Sequence, residues 1–428
     1  MMQAHLYSLL CEVGLFMVVT AGFAQEIPAA TNLTLAGAVD LAVSENPELR
    51  SLRAKWEALL ERPAQESALP NPMLKYGSMD SASDGRWPDS SEKRIMVEQS
   101  FPWFGKRGLR EGIARKDAEA AQWELESMTR DVVMRVKESY FDLYAVQQVI
   151  AITRKEESVL HRMAKITETM YATGERTQQD VLKARSEITL LKQRLLELGA
   201  QENALQSKLN TLLNRRADAP LGAAVTPPRT DFSGTFEALF AVAATNRPEV
   251  RAEQKRIERY ELEKKLMDKE SMPDYQLGLE YRDISDGENM VMFTVGIELP
   301  IRRTKYRAAV REAEKMRISS EAAREAAQRN SALDVQDASF KLRTARRMLE
   351  LYTAELIPQA ETRFKASEAD YQTGKADFMD FLESQRFLLS IRVMAAMAEG
   401  NIGMQFARLE RAVGMELKAE PNPGENRK

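Results

Sequence analysis

Apolar residues recur along this chain at two distinct periods. Between residues 177 and 213, Ile188, Leu195 and Leu209 share one heptad position and Leu191, Leu198, Leu205 and Leu212 the other, with Glu202 alone out of pattern. A repeat of about 3.5 residues sustained over more than three heptads predicts a helix whose seam packs knobs into holes against another helix. The preceding stretch, residues 107–170, carries Leu125, Met128, Val132, Val136, Tyr140 and Leu143 at spacings of three and four. As one helix it would run roughly 95 Å, too long to fold back into a compact globule. Residues 305–371 and 377–413 predict a second long helix and its return. Gly174 and Gly374 stop the long helices by supplying positive φ, and Thr177 with Asp180 three residues on makes an acidic form of a capping box. Each half of the chain is therefore expected to hold a coiled-coil hairpin.

The second period is two. Tyr275, Leu277, Leu279 and Tyr281 alternate with Gln276, Gly278, Glu280 and Arg282, and Val291, Phe293, Val295, Ile297 and Leu299 alternate with Met290, Met292, Thr294, Gly296 and Glu298. Leu74 and Tyr76, then Ile95, Val97 and Phe101, repeat this more faintly upstream. The predicted strands are 72–80, 93–101, 274–282 and 290–299. Alternating segments of about ten residues, ending in aromatics and joined by polar loops (Asp80 to Glu92, Asp283 to Asn289), fit transmembrane β-strands. The alternative is a pair of amphipathic hairpins covering a soluble helix layer. Four strands cannot close a membrane barrel, and edges open in lipid would leave backbone groups unpaired at several kcal/mol each. Closure would then need other copies of the chain, about eight strands as a dimer or twelve as a trimer.

Both patterns occur twice, at a spacing of about 200 residues. Asn46-Pro47-Glu48-Leu49-Arg50 answers to Arg247-Pro248-Glu249-Val250-Arg251, Phe101-Pro102 to Leu299-Pro300, and Tyr171-Ala172-Thr173-Gly174 to Tyr371-Gln372-Thr373-Gly374. Asp180 and Asp380 each follow their glycine at the same distance. The expected organisation is a leader over 1–24, a first unit over 25–213, a Pro- and Gly-rich linker over 214–235, a second unit over 236–414, and a polar disordered tail over 415–428.

Leu6 to Phe23 is largely apolar and Gly22-Phe23-Ala24 offers small residues before a cut, which reads as a secretory signal peptide despite the lack of Lys or Arg before it. Cys11 follows Leu10 and does not fit a lipoprotein cleavage box. Removing the leader would leave no cysteine and one histidine, His161, so disulfides and His or Cys metal sites are not expected. Of the 428 residues, 61 are Lys or Arg and 64 Asp or Glu, a net charge of -3, which gives no sign of a nucleic-acid partner. The mean hydropathy of -0.42 resembles a soluble protein, and no run of 18 apolar residues follows the leader. No catalytic constellation stands out, so an exported enzyme is the least favoured class and no cofactor is expected. The paired methionines Met290, Met292, Met394 and Met397 read as packing residues and not copper ligands, and Gly105-Lys106 lacks the spacing of a phosphate loop.

The early Asn46-Pro47, the junction Gln99-Ser100-Phe101-Pro102-Trp103-Phe104-Gly105-Lys106-Arg107, the Tyr-x-Thr-Gly turns and the Asp-x-Leu after each turn together resemble the TolC-type outer membrane efflux channels, over residues 35–414. The Trp103-Phe104-Gly105-Lys106 junction is most similar to the heavy-metal branch of CzcC and CusC type. The resemblance implies a mainly α protein with a membrane β part. It implies a homotrimer in which each copy gives four strands to a twelve-stranded barrel and its helices to a periplasmic α-barrel. It implies docking to a periplasmic adaptor through the turns Thr173-Gly174 and Thr373-Gly374, and cargo delivered by an inner-membrane transporter of RND type. An adaptor or structural coiled-coil protein is the competing class, and it does not account for the duplicated strands.

By the same resemblance, Asp380 and Glu383 would ring the periplasmic mouth with carboxylates, against the plain reading that both are first-turn acids favoured by the helix dipole. Tyr371 with Asp180, beside Gln179, would hold the mouth shut. Ala376 stands where the family carries an arginine, and Arg176 occupies the equivalent place in the first unit, which leaves its part in closure open. Trp103, Phe104, Lys106, Arg107, Arg302 and Arg303 follow the last strands and would meet lipid headgroups of the inner leaflet.

Overall fold

The computed structural model describes residues 33–79, 92–226, 235–284 and 288–417. The leader at 1–24, part of the linker and residues 418–428 of the tail lie outside these. The chain opens with three short helices, α1 (Leu35–Glu45), α2 (Pro47–Leu60) and α3 (Arg62–Ser67), then two strands, β1 (Met73–Met79) and β2 (Glu92–Phe101). The hairpin α4 (Lys106–Ala172) and α5 (Gln178–Leu212) completes the first unit. The second runs α6 (Phe236–Asn246), α7 (Pro248–Lys269), β3 (Asp274–Ile284), β4 (Met290–Glu298), α8 (Arg303–Glu350), α9 (Ile357–Gln372) and α10 (Phe378–Val413). With 67 residues, α4 is about 100 Å long and is the axis on which α2, α3, α5, α7 and α10 pack.

Local chemistry accounts for the starts of these helices. Asn46 is buried and its Oδ1 accepts from the N–H of Glu48 at 2.9 Å and of Leu49 at 3.4 Å, while its Nδ2 donates to the Leu212 carbonyl at 3.1 Å. One side chain thus caps α2 and ties it to the far end of α5, with Pro47 at a position where no N–H is needed. The second unit does this differently. Arg247 makes no capping bond and instead pairs with Glu249 at 3.1 Å and Asp334 of α8 at 2.7 Å.

The second long helix differs from expectation. Between α8 and α9 the chain widens into a π turn over Leu351–Leu356. Pro358, in the first turn of α9, has no N–H to give the carbonyl four residues back, and the wider turn takes up the lost bond. No proline falls within α4, which runs unbroken.

The strands form one antiparallel sheet in the order β1-β2-β3-β4. Its register aligns the apolar positions into rows: Leu74, Val97, Leu279 and Phe293 in one, Tyr76, Ile95, Tyr281 and Val291 in the next. These residues are exposed, Leu74 at 71% and Phe293 at 67%, so one face of the sheet is a continuous uncovered apolar surface. The opposite face carries Lys75 paired with Glu98 at 2.5 Å, and Arg282 paired with Glu280 at 2.5 Å and Glu92 at 3.4 Å.

Packing between the units is close where α10 crosses α4. A Cβ on Gly400 would lie 2.7 Å from the Ala145 Cβ and 3.0 Å from the Phe141 carbonyl oxygen, and one on Gly403 would collide with the Phe141 ring. Arg411 of α10 reaches Asp131 of α4 and Glu249 of α7 in one buried cluster. Burial works against the Glu249 charge, but the Arg411 guanidinium prevails and holds that carboxyl at about 2. By length and composition α10 could cross a membrane, yet it packs on α4, α8 and α9 and contributes Phe406, Leu409 and Val413 to a core shared with α6 and α8. Gly403→Ala is expected to destabilise the protein by about 1–3 kcal/mol by displacing the Phe141 ring, read as a lower midpoint of thermal loss of helical circular dichroism. An unchanged midpoint would show that the ring moves aside at no cost.

Candidate functional site

Both helical hairpins turn at the same end of the molecule by the same device. After Ala172, Gly174 adopts φ 81°, its N–H donates to the Tyr171 carbonyl at 3.1 Å, and Glu175 donates to the Met170 carbonyl at 2.8 Å. After Gln372, Gly374 adopts φ 77° with matching bonds to the Tyr371 and Asp370 carbonyls. These bonds satisfy carbonyls that the helix ends leave free. The return helices open with full capping boxes. In α5, Thr177 Oγ1 accepts from the Asp180 N–H at 3.4 Å, and the Asp180 carboxylate accepts from the Thr177 N–H at 3.3 Å and hydroxyl at 3.0 Å. In α10, Asp377 replaces the threonine and accepts from the Asp380 N–H at 2.9 Å, while Asp380 accepts from the Asp377 N–H at 3.4 Å.

Tyr371 lies between the two turns and is fully buried, its ring packed against Phe378 at 5.4 Å and Phe381 at 5.8 Å. Its hydroxyl is 2.7 Å from Thr167 Oγ1 on α4. The Arg176 guanidinium covers the ring at 4.6 Å and donates through Nη2 to the carbonyls of Tyr371 at 3.1 Å and Ala376 at 2.8 Å. The first turn is thereby stitched to the second by one arginine. Burial raises the pKa of the phenol, and the nearby Asp180 adds to the rise.

Tyr371 bonds Thr167 and not Asp180, because the Asp180 carboxylate is spent on its own helix cap. Arg176 approaches from the other turn and binds the carbonyl of Ala376 itself. Gln179 is exposed beside it. Asp380 serves the cap of α10, as the plain reading of a first-turn acid expects, and is also exposed. Glu383 is exposed one turn further on and paired with Arg363 at 2.8 Å.

At the opposite end, the strand-to-helix junction is a buried ionic joint. Lys106 is only 1% exposed, and its Nζ contacts Asp274 at 2.8 Å, the Met272 carbonyl at 3.1 Å and Glu270 at 3.3 Å. Asp274 also accepts from the Trp103 N–H at 2.7 Å, and the Trp103 ring stacks on Tyr275 with centroids 5.5 Å apart. Lys106 is therefore no headgroup anchor. The cation at the start of α4 is compensated by carboxylates of the second unit, as a buried charge requires. Arg110 joins the same joint through Glu270 at 2.9 Å. Phe104, 78% exposed, and the exposed Arg302 and Arg303 do remain on the surface.

The sequence profile of the outer membrane efflux protein family matches residues 38–215 and again 239–415. The chain belongs to that family. The cobalt-zinc-cadmium resistance protein CzcC of Cupriavidus metallidurans is 26% identical over 398 residues, covering 90% of this chain and 91% of that protein. A crystal structure of CusC superposes with a TM-score of 0.76 at 16% identity, covering 89% of this chain and 92% of that one. The CmeC outer membrane channel of Campylobacter jejuni gives 0.75 at 13% identity, covering 92% and 88%. This outer membrane efflux protein is thus mainly helical with a membrane β part, its exposed apolar sheet face in the outer membrane and its helical hairpins in the periplasm. The joint around Lys106 sits where these two parts meet. Lys106→Ala leaves Asp274 without its cation and Glu270 with Arg110 alone, and is expected to cost this efflux protein about 3 kcal/mol, measured as a lower thermal midpoint of the detergent-extracted protein. Lys106→Arg should recover part of it. No loss in the alanine variant would mean that solvent supplies the missing charge.

Proposed function

We propose that three copies of this chain form the outer membrane duct of a tripartite efflux system. The observation that carries this is the sheet: its order leaves β1 and β4 as edges, while one whole face is apolar and exposed. In lipid such edges must pair, and cyclic repetition of a single β4-to-β1 contact closes about twelve strands. The polar face with Lys75, Glu98, Arg282 and Glu280 then lines water. A periplasmic adaptor docks on the turns Thr173-Gly174 and Thr373-Gly374, and an inner-membrane transporter of RND type delivers the cargo. Similarity to a cobalt-zinc-cadmium resistance protein favours divalent metal cations as that cargo.

In this reading the hairpin turns are the mouth. Threefold repetition makes Asp380 and Glu383 into rings of carboxylates that favour cations. Arg176 over Tyr371, flanked by Gln179 and Asp180, holds the two turns together and keeps the mouth narrow. Trp103, Phe104, Arg107, Arg302 and Arg303 lie at the periplasmic edge of the bilayer.

Two measurements test this in planar lipid bilayers. Arg176→Ala releases the Tyr371 and Ala376 carbonyls and uncovers the ring, and is expected to raise single-channel conductance several-fold over wild type. Glu383→Gln is expected to lower the preference for cations over anions, read from the reversal potential in a salt gradient. Recovery of the protein as a soluble periplasmic monomer, or conductance that neither substitution alters, would overturn the duct or its mouth respectively.

A further inference from the structure

A cavity of about 480 Å³ opens where the apolar sheet face meets the helices. Trp103, Phe104, Tyr275, Leu277 and Val295 are on its wall, and among the described residues Arg107 is the one charged side chain lining it. We infer that this cavity is a binding site for a phospholipid of the inner leaflet, with the phosphate on Arg107 and the upper acyl chain against Leu277 and Val295. The inference rests on the placement of the sheet in the bilayer proposed above.

Three observations single out this occupant. First, the guanidinium is held in place but not neutralised: Arg107 Nε donates to the Ser67 carbonyl at 2.7 Å, and among the described residues no carboxylate pairs with it. Its two remaining nitrogens keep the fork that matches a phosphate. Second, Lys269 lies over the same turn, donating to the Phe104 carbonyl at 3.0 Å, and it too has no carboxylate partner among the described residues. The neighbouring cations Lys106 and Arg110 are both paired with Glu270, which leaves Arg107 and Lys269 as the cations at this turn without a carboxylate among the described residues. Third, the apolar wall continues without a break into the exposed row of Leu277 and Val295, which are register partners on β3 and β4. A free anion would use the cations but leave the aromatic wall wet. An amphiphile with a phosphate at one end satisfies both.

The test uses the intact protein, extracted in detergent, exchanged into nanodiscs of palmitoyl-oleoyl phosphatidylglycerol and released for native mass spectrometry. Wild type is expected to retain bound lipid, and Arg107→Ala to retain about tenfold less, as expected for loss of a charge-assisted hydrogen bond. Leu277→Trp, which fills the cavity from an exposed position and keeps the arginine, should lose lipid to a similar extent. Arg303→Ala, also exposed at this boundary but outside the cavity, should retain it. Glycerol 3-phosphate in excess should not displace the lipid; displacement would identify a free phosphate site and overturn the proposal. Equal retention in all four proteins would also overturn it. Conductance in planar bilayers separates this from failure of the duct: a conducting Arg107→Ala protein that keeps its lipid discards the cavity site alone, whereas a wild type that neither conducts nor enters nanodiscs discards the membrane placement.

Discussion

The backbone groups along the outer sides of β1 and β4 have no strand partner among the described residues, and everything else in the molecule is arranged around that constraint. In water, an open four-stranded sheet with one apolar face would aggregate; in lipid, each unpaired N–H or C=O costs several kcal/mol. The chain answers by making the sheet a segment of something larger. The register that lines up Leu74, Val97, Leu279 and Phe293 gives every strand the same outward face, so a copy added at either edge continues the same surface.

The junction between sheet and helices explains why the two units cannot act independently. Lys106 belongs to the first unit and its counter-charges Asp274 and Glu270 to the second. Further along, Asp131 of the first unit and Glu249 of the second share Arg411. Both clusters are largely buried, and removing one partner from such a cluster is far more costly than the cluster is stabilising. The ionic joints therefore fix the register between repeats, while the apolar seams, which would tolerate sliding by a heptad, supply most of the burial.

Much of this architecture was legible in the pattern of residues. Alternation located the strands to within a few positions, heptads located the return helix, and Gly174 and Gly374 located both turns, because each depends on local periodicity or on a backbone conformation that few residues adopt. What the pattern could not show depends on partners distant in sequence. Lys106 resembles a headgroup anchor until Asp274, from the other unit, is seen to accept its charge. Arg176 was visible as the mirror of Ala376, but only the fold places its guanidinium over Tyr371. Gly400 and Gly403 sit inside a helix with no turn to explain them, and their reason is the approach of Phe141 and Ala145 on another helix. The π turn had a sequence signal in Pro358, which breaks the hydrogen-bond ladder of a helix that periodicity alone would run straight through.

The two ends of the helical part are held by interactions of different strength, and this decides where the molecule can move. At the membrane end, separation would strand a buried ammonium and two carboxylates. At the turns, separation breaks one cation–π contact, worth about 0.5–2 kcal/mol, two hydrogen bonds from the Arg176 guanidinium and one between the Tyr371 and Thr167 hydroxyls, whose groups water can satisfy once exposed. Burial of Tyr371, Phe378 and Phe381 in one apolar cluster with Leu160, Met163 and Ile188 resists it. The π turn at Leu351–Leu356 lies at the inner end of α9, so the segment carrying Tyr371 is set off from the rest of its helix by the weakest part of that helix's ladder. A bend that shifts the segment carrying Tyr371 is therefore least costly at Leu351–Leu356, ahead of α9 and far from the sheet and its joint.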